Sequence, residues 1–266
     1  MNLEEFQLFI FDLDGVIYLG NEPISGAQEV LEKLAERKKD VFFLTNNSTR
    51  TRTKVCKKLL KMGIQVQENQ IITSAYATAQ YLNQRHPKAT VYIIGEEGLI
   101  NEFKNAGFDV ISDETAGSAI EFVIVGLDRD FTYQKVAFAL AALNKGAKFI
   151  ATNTDPTLPT EHGNLPGAGT MVAALSTAAY CDPMITIGKP NPFMIEFILK
   201  SQDIKPSAAV IIGDRYSTDV KAGLNAHIGT ILVKTGTGMQ ELKLMPASGP
   251  KPDLILDSVA DLLQYL

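Results

Sequence analysis

Cysteine is scarce in this chain, with two among 266 residues. That is too few for a disulfide framework, and the spacing fits no zinc site. Cys56 falls on the apolar face of a helical stretch and reads as core. Histidine is almost as rare: His86, His162 and His227 are scattered and propose no metal site. No stretch approaches the roughly 18 consecutive apolar residues that a membrane-spanning helix needs. Positive charge is not in excess either. The formal net charge is −5, which argues against an unassisted binder of nucleic acid or of an anionic membrane surface. The opening MNLEEFQLFIFD carries acids where a signal peptide needs positive charge, and its apolar stretch ends at Asp12, so a cytoplasmic address is expected. There is no convincing internal repeat, low-complexity tract or long linker. Hydrophobic residues at 45% with charged residues at 21% leave the composition of an ordinary globular enzyme.

The informative features are four apolar runs that end in chemistry. In FIFDLDGVIY, Leu8 to Phe11 read as a buried parallel strand, and Asp12 and Asp14 follow two residues apart. In extended backbone, positions i and i+2 face one side, so both acids would address one small site. Two like charges about 4 Å apart repel by roughly 4 kcal/mol at an effective dielectric near 20. A divalent cation would relieve that conflict, and hard Mg²⁺ favours one or two carboxylates plus phosphate oxygens. The alternative is an Asx-type turn with both acids solvated. In VFFLTNNST, a second run ends in Thr45, Asn46, Asn47 and Ser48, whose hydroxyls and amides suit phosphate oxygens. Ser48 or Thr49 could instead cap the following helix. In ITIGKPNPFMIEFIL, Asn191 and Pro192 look like the N-cap and first position of a helix, which puts Lys189 in the loop before it. A loop lysine can equally be a solvated charge. In AAVIIGDRYSTDVKAG, the run ends in Gly213 and Asp214, with Asp219 in the first turn of the next helix, where the helix dipole favours an acid anyway.

Those runs, DLDGVIY, LTNNS, GKPNP and GDRYSTD, in that order and spacing, make the chain resemble the haloacid dehalogenase (HAD) superfamily of aspartate-nucleophile phosphatases. Within it the chain is similar to the NagD / 4-nitrophenylphosphatase branch, and ATNTDPTLP and LPGAGTMVAAL resemble further stretches of that branch. The similarity runs from Phe9 to about Asp257.

The resemblance fits the organisation of the chain. Residues 8–80 alternate strand and helix, a second alternation begins at Thr90, and after about Cys181 the outer pattern resumes with ITIG, AAVIIGD, GTILV and DLILD. The expected fold is α/β, a Rossmann-like doubly wound parallel-sheet core with an inserted α/β cap domain. The core would comprise residues 1–80 and 182–266, and the cap residues 81–181. TDPTLPTEHGNLPGAG is the longest irregular loop signal. Its Gly-Ala-Gly reads as a plain turn into the next helix, since it lacks the spacing of a phosphate-binding fingerprint.

The resemblance also implies roles. Asp12 would be the nucleophile that forms an aspartyl-phosphate, and Asp14 the acid and then the base. Lys189 would neutralise both nucleophile and phosphoryl group, while Thr45 and Asn46, with Asn47 adjacent, would hold the phosphoryl oxygens. Mg²⁺ would be held by the Asp12 carboxylate, the Asp14 backbone carbonyl and the Asp214 carboxylate, with Asp219 orienting that shell. Ser48, Arg50 and Arg52 could reach a substrate, but read first as a solvated helix start. The expected activity is Mg-dependent hydrolysis of small phosphomonoesters, such as sugar phosphates, nucleoside monophosphates and p-nitrophenyl phosphate. A cap loop containing Asp155, Thr157, Leu158 and His162 would face the core, and a homodimer through the cap is compatible with the family. A dehalogenase would not need Asp14, a receiver domain is shorter with a contiguous acid pair, and a non-catalytic phosphometabolite binder would not need the nucleophile.

Overall fold

The computed structural model describes residues 1–111, 119–160, 163–245 and 248–266, and of residues 159, 160 and 244 the backbone alone. His162 therefore lies outside the described residues. The chain forms two compact units: Met1–Thr45, Val55–Ile72 and Lys189–Leu266 make the first, and Asn46–Lys54 with Thr73–Gly188 the second.

The first unit is built on a six-stranded sheet. Its order is Leu254–Leu256, Gly229–Val233, Ala209–Gly213, Leu8–Phe11, Asp40–Thr45, Ile71–Thr73. Leu8–Phe11 pairs in parallel with Ala209–Gly213 on one side and Asp40–Thr45 on the other. Every residue of the two strands Leu8–Phe11 and Ala209–Gly213 is buried. Central strands of a parallel sheet are covered on both faces, hence continuous apolar runs rather than alternation. Phe9 and Phe11 point to one face with Val210 and Ile212, where they join Val30, Leu34, Phe43 and Leu59 in the main core. Helix Ala27–Glu36 presents Ala27, Val30 and Leu34, spaced three and four apart, to that core. Each such large side chain contributes roughly 1.5–3 kcal/mol by leaving water. Chain progress through the sheet runs outward from Leu8–Phe11 in one direction and then, from Ala209–Gly213, in the other. The strand order thus reverses between these two strands, and open α/β sheets bind ligands outside the carboxyl ends at such a switch point.

The second unit has a five-stranded sheet in the order Ile185–Thr186, Lys148–Ala151, Phe122–Val125, Thr90–Ile94, Asp109–Ile111, with parallel pairings. Val123, Val125, Phe149 and Ala151 pack with Met171, Val172 and Leu175 of helix Ala168–Ala179 and Ala139 and Ala142 of helix Tyr133–Asn144. The fold is α/β throughout, a Rossmann-like parallel-sheet core with a second α/β body inserted in its sequence.

Local expectations are corrected in five places. The ITIG strand pairs Ile185 with Ile150 and belongs to the second sheet, so the return to the first unit comes at Lys189. The stretch read as an irregular loop contains a hairpin, Thr157–Thr160 against Gly163–Pro166. A two-stranded ribbon has two edges, where Pro159 and Pro166 lose no obligatory ladder bond. Thr51, rather than Ser48 or Thr49, caps helix Arg52–Lys61, its hydroxyl accepting from the Lys54 N–H at 3.2 Å. Arg52 is not a solvated helix start: it stacks on the Tyr76 ring at 3.6 Å and faces the buried Glu102 at 3.8 Å. Asn191 Oδ1 accepts from the Phe193 N–H at 2.9 Å just ahead of the helix Phe193–Gln202, whose N-cap position is Pro192, one residue later than expected. Elsewhere the reading agrees with the structure. Cys56 packs against the core. The Gly-Ala-Gly run serves close packing, since a Cβ on Gly167 would meet the Asp155 carbonyl oxygen and one on Gly169 the Thr154 oxygen at 2.5 Å. Among the described residues no helix is long and apolar enough to cross a membrane.

Candidate active site

Asp12 leaves the carboxyl end of Leu8–Phe11, and Asp214 leaves the carboxyl end of the neighbouring Ala209–Gly213. The switch point therefore sets two acids side by side. A third, Asp219, arrives on a single π-helical turn, Tyr216–Val220, and Gly213 has no side chain because a Cβ there would collide with Asp219. One oxygen from each of Asp12, Asp214 and Asp219 lies within 4.8 Å of the others, and all three residues are buried.

Lys189 stands among them, 3% exposed. Its Nζ donates to Asp12 Oδ1 at 2.5 Å, pairs with Asp219 Oδ1 at 2.6 Å and donates to the Leu44 carbonyl at 3.3 Å. Asp219 Oδ2 accepts from the Arg215 N–H at 3.0 Å, so both its oxygens are engaged within the protein. Asp214 differs. Its Oδ2 accepts two hydrogen bonds from Thr237, the N–H at 2.7 Å and the hydroxyl at 2.8 Å. Its Oδ1 is buried with no hydrogen-bond partner among the described residues.

The electrostatics follow from this crowding. Burial pushes Asp12 well above the ordinary carboxylate range; Lys189 opposes the shift, and Asp219 and Asp214 add to it. Asp214 is pushed up to about 6, first by burial and then by Asp219, against the two Thr237 hydrogen bonds. For Lys189 burial works to lower the pKa, but the Asp12 and Asp219 carboxylates overcome it and hold the ammonium charged. Three carboxylates face one ammonium, which leaves a surplus of two negative charges when all are ionised. A divalent cation matches that surplus, and the orphaned Asp214 Oδ1 is an oxygen with the hard character such an ion prefers. The residues present fit a divalent metal.

Asp14 is placed differently from the extended-backbone expectation. The strand ends at Phe11, and a turn follows in which the Ile17 and Tyr18 N–H groups bond the Leu13 carbonyl. The Asp14 carboxylate is exposed, lies outside the three-acid cluster and accepts from the Tyr18 hydroxyl at 3.3 Å. Thr45 is buried at the end of its strand in the first unit. In the second unit, Asn46 Nδ2 donates to Asp155 Oδ2 at 3.1 Å, and the Asn46 carbonyl accepts from Ser74 Oγ and Asn153 Nδ2. Asn47 Oδ1 accepts from the N–H and hydroxyl of Thr49, both at 2.8 Å, in an Asx turn. Buried Ser48 accepts from the Leu127 N–H at 3.3 Å, a structural duty. Residues 235–237 were missing from the sequence reading. Thr235 Oγ1 donates to the Gly15 carbonyl at 2.5 Å, and Gly15 and Gly236 both approach Asp214 so closely that a Cβ on either would overlap its carboxylate. The signal was the TGTG run after GTILV, at the carboxyl end of another strand of the same sheet.

Two family models match the chain: haloacid dehalogenase-like hydrolase over residues 9–109 and a HAD-hydrolase-like model over residues 186–262. An acid sugar phosphatase of Staphylococcus epidermidis is 38% identical over 239 residues, 90% of each chain. The chain belongs to the haloacid dehalogenase-like hydrolases. A 5′-nucleotidase of Bacillus subtilis is 36% identical over 264 residues, 99% of this HAD hydrolase and 100% of the relative. Among solved structures, a 4-nitrophenylphosphatase from Thermotoga maritima superposes with a TM-score of 0.91 at 32% identity, covering 99% and 98% of the two chains. These neighbours put this HAD hydrolase in the NagD / 4-nitrophenylphosphatase branch.

Proposed function

We propose that this HAD hydrolase is a Mg²⁺-dependent phosphatase that hydrolyses small phosphomonoesters through an aspartyl-phosphate on Asp12. The observation that carries the reading is the buried Lys189 bonded to Asp12 beside an Asp214 oxygen with no hydrogen-bond partner among the described residues. The names of the relatives, acid sugar phosphatase, 5′-nucleotidase and 4-nitrophenylphosphatase, support a substrate class of sugar phosphates, nucleoside monophosphates and p-nitrophenyl phosphate.

An Asp12 carboxylate oxygen attacks phosphorus while the bond from phosphorus to the leaving oxygen breaks. Asp14, protonated, gives its proton to that oxygen. Asp14, now a carboxylate, takes a proton from water, whose oxygen attacks phosphorus, and the phosphorus–Asp12 bond breaks to release phosphate. The exposure of Asp14 suits a group that must meet the incoming water and take its proton. Lys189 keeps Asp12 aimed and offsets charge that builds on the phosphoryl oxygens. Asp12, Asp214 and the Asp14 carbonyl would hold Mg²⁺, which when bound supplies positive charge to the transferring group. Asp219, anchored to Lys189 and the Arg215 N–H, orients the cluster. The Thr45 hydroxyl and the amides of Asn46 and Asn47 are assigned to the phosphoryl oxygens. The second unit is assigned the choice of leaving group, through the segment that holds Asp155, Thr157 and Leu158.

The test is phosphate release from p-nitrophenyl phosphate, a hexose phosphate and a nucleoside monophosphate. EDTA should abolish turnover and Mg²⁺ restore it, whereas Ca²⁺ should restore little, because its looser shell accepts a bidentate carboxylate. Asp12→Asn should lose at least about a thousandfold, as enzymes stripped of their nucleophile do. Acid-quenched wild-type protein should carry labelled phosphate on the peptide that contains Asp12. Turnover by folded Asp12→Asn at the wild-type rate would end the covalent reading.

A further inference from the structure

The loop of residues 235–237 makes three contacts that local backbone structure does not require. Thr237 stands at the N-cap of the short helix Gly238–Leu244, where a threonine hydroxyl ordinarily accepts a bond from the first helical turn. Here it makes no such cap bond and donates instead to Asp214 Oδ2 at 2.8 Å, beside its own N–H at 2.7 Å. Two donors on one oxygen fix the rotation of the carboxylate and leave Oδ1, buried on a residue that is 2% exposed, without a partner among the described residues. Two residues earlier, Thr235 holds the Gly15 carbonyl, the next carbonyl in the chain after that of Asp14. Gly236 lies between them at φ +58°, and any side chain there would displace Asp214 Oδ2.

Resting on the phosphatase reading, we infer that Thr237 is a positioning residue for the divalent cation: it ties down Oδ2 of Asp214 so that Oδ1 is presented as the ligand. Thr235, through the Gly15 carbonyl, steadies the neighbouring peptide whose carbonyl shares the ion. The loop is then a strap across the metal site, reaching both a side-chain ligand and a backbone ligand. Partners that orient a metal's ligands are typically worth about 10–100-fold in metal affinity.

The experiment measures Mg²⁺ binding by calorimetry and Mn²⁺ binding by electron paramagnetic resonance, with no substrate present. Thr237→Ala keeps the N–H but loses the hydroxyl, and its dissociation constants should rise by about 10–100-fold. Thr237→Ser should restore most of the affinity. The metal-induced rise in Tm should shrink in Thr237→Ala by more than its Tm in EDTA falls. Leu262→Ala, a cavity in the same unit's core, serves as the comparison: it should lower Tm in EDTA and leave metal affinity unchanged. Wild-type affinity in Thr237→Ala overturns the inference alone, as does a loss in Thr237→Ser equal to that in alanine. Wild-type protein that binds neither ion overturns both this inference and the Mg²⁺ assignment beneath it.

Discussion

Lys189→Met should cost this enzyme both stability and rate, and the structure sets the size of each. The ammonium is 3% exposed and holds two carboxylates at 2.5 and 2.6 Å. Methionine fills similar space but removes the ammonium that Asp12 and Asp219 share, leaving three buried carboxylates within 4.8 Å of one another. Breaking a buried ion pair from one side typically costs about 3–5 kcal/mol, because the partner stays buried and unpaired. At roughly 2–4 °C per kcal/mol for a chain of this size class, Tm in EDTA should fall by about 6–20 °C. Saturating Mg²⁺ should narrow the gap, and Asp219→Asn in the same chain should recover part of it, since each reduces the surplus negative charge. Turnover should fall by about 10²–10³, the usual scale for one group that stabilises transition-state charge, and by a similar factor on every substrate. Scanning calorimetry in EDTA and in Mg²⁺, with phosphate release on three substrates, measures all of this. A Tm in EDTA within about 2 °C of wild type, the effect of under roughly 1 kcal/mol, would refute the reasoning. It would mean that the carboxylates shed their charge without the lysine.

Three further outcomes are expected. Gly236→Ala should lose most metal-dependent activity, since its Cβ would stand 2.3 Å from Asp214 Oδ2, whereas Gly107→Ala, also at positive φ but with nothing within 4 Å, should cost only backbone strain of about 1–2 kcal/mol and leave the rate constant unchanged. Leu158→Ala and Asp155→Asn should change the ratio of kcat/KM between a sugar phosphate and a nucleotide, because that ratio measures differential transition-state binding; an unchanged ranking would remove this segment from substrate choice. Phe11→Ala should lower stability by about 3–5 kcal/mol in urea unfolding, since the ring is fully buried in the main core on one face of the sheet.

The fold was legible where sequence period and burial coincide. Leu8–Phe11 and Ala209–Gly213 are continuous apolar runs because both faces of the central strands are covered. The acids that follow them were readable for the same reason, as polar residues placed where such strands end. The two-residue strand at Ile185 was misplaced because a run that short carries no sign of which sheet it will join. The hairpin in 157–166 was hidden by Pro159 and Pro166, which are breakers inside a sheet but harmless on a ribbon's edges. The strand pattern alone could not place Asp14, because the strand ends at Phe11 and a turn carries the chain onward. Thr235 and Thr237 were passed over because a threonine near a helix start has an ordinary explanation in capping. Their actual partners, Gly15 and Asp214, are distant in sequence and become neighbours only through the sheet order.

That sheet order also bears on how the protein is made. Leu8–Phe11 can pair with Asp40–Thr45 soon after both are synthesised, but its other neighbour, Ala209–Gly213, comes some two hundred residues later. At about 5–20 residues per second, the most apolar strand near the amino terminus waits about 10–40 s on the ribosome with one backbone edge open. An unpaired apolar edge invites pairing with another chain. Nascent chains stalled before residue 209 should therefore be captured by chaperones that recognise extended apolar segments, and chains stalled beyond the exit of residue 233 should be released from them.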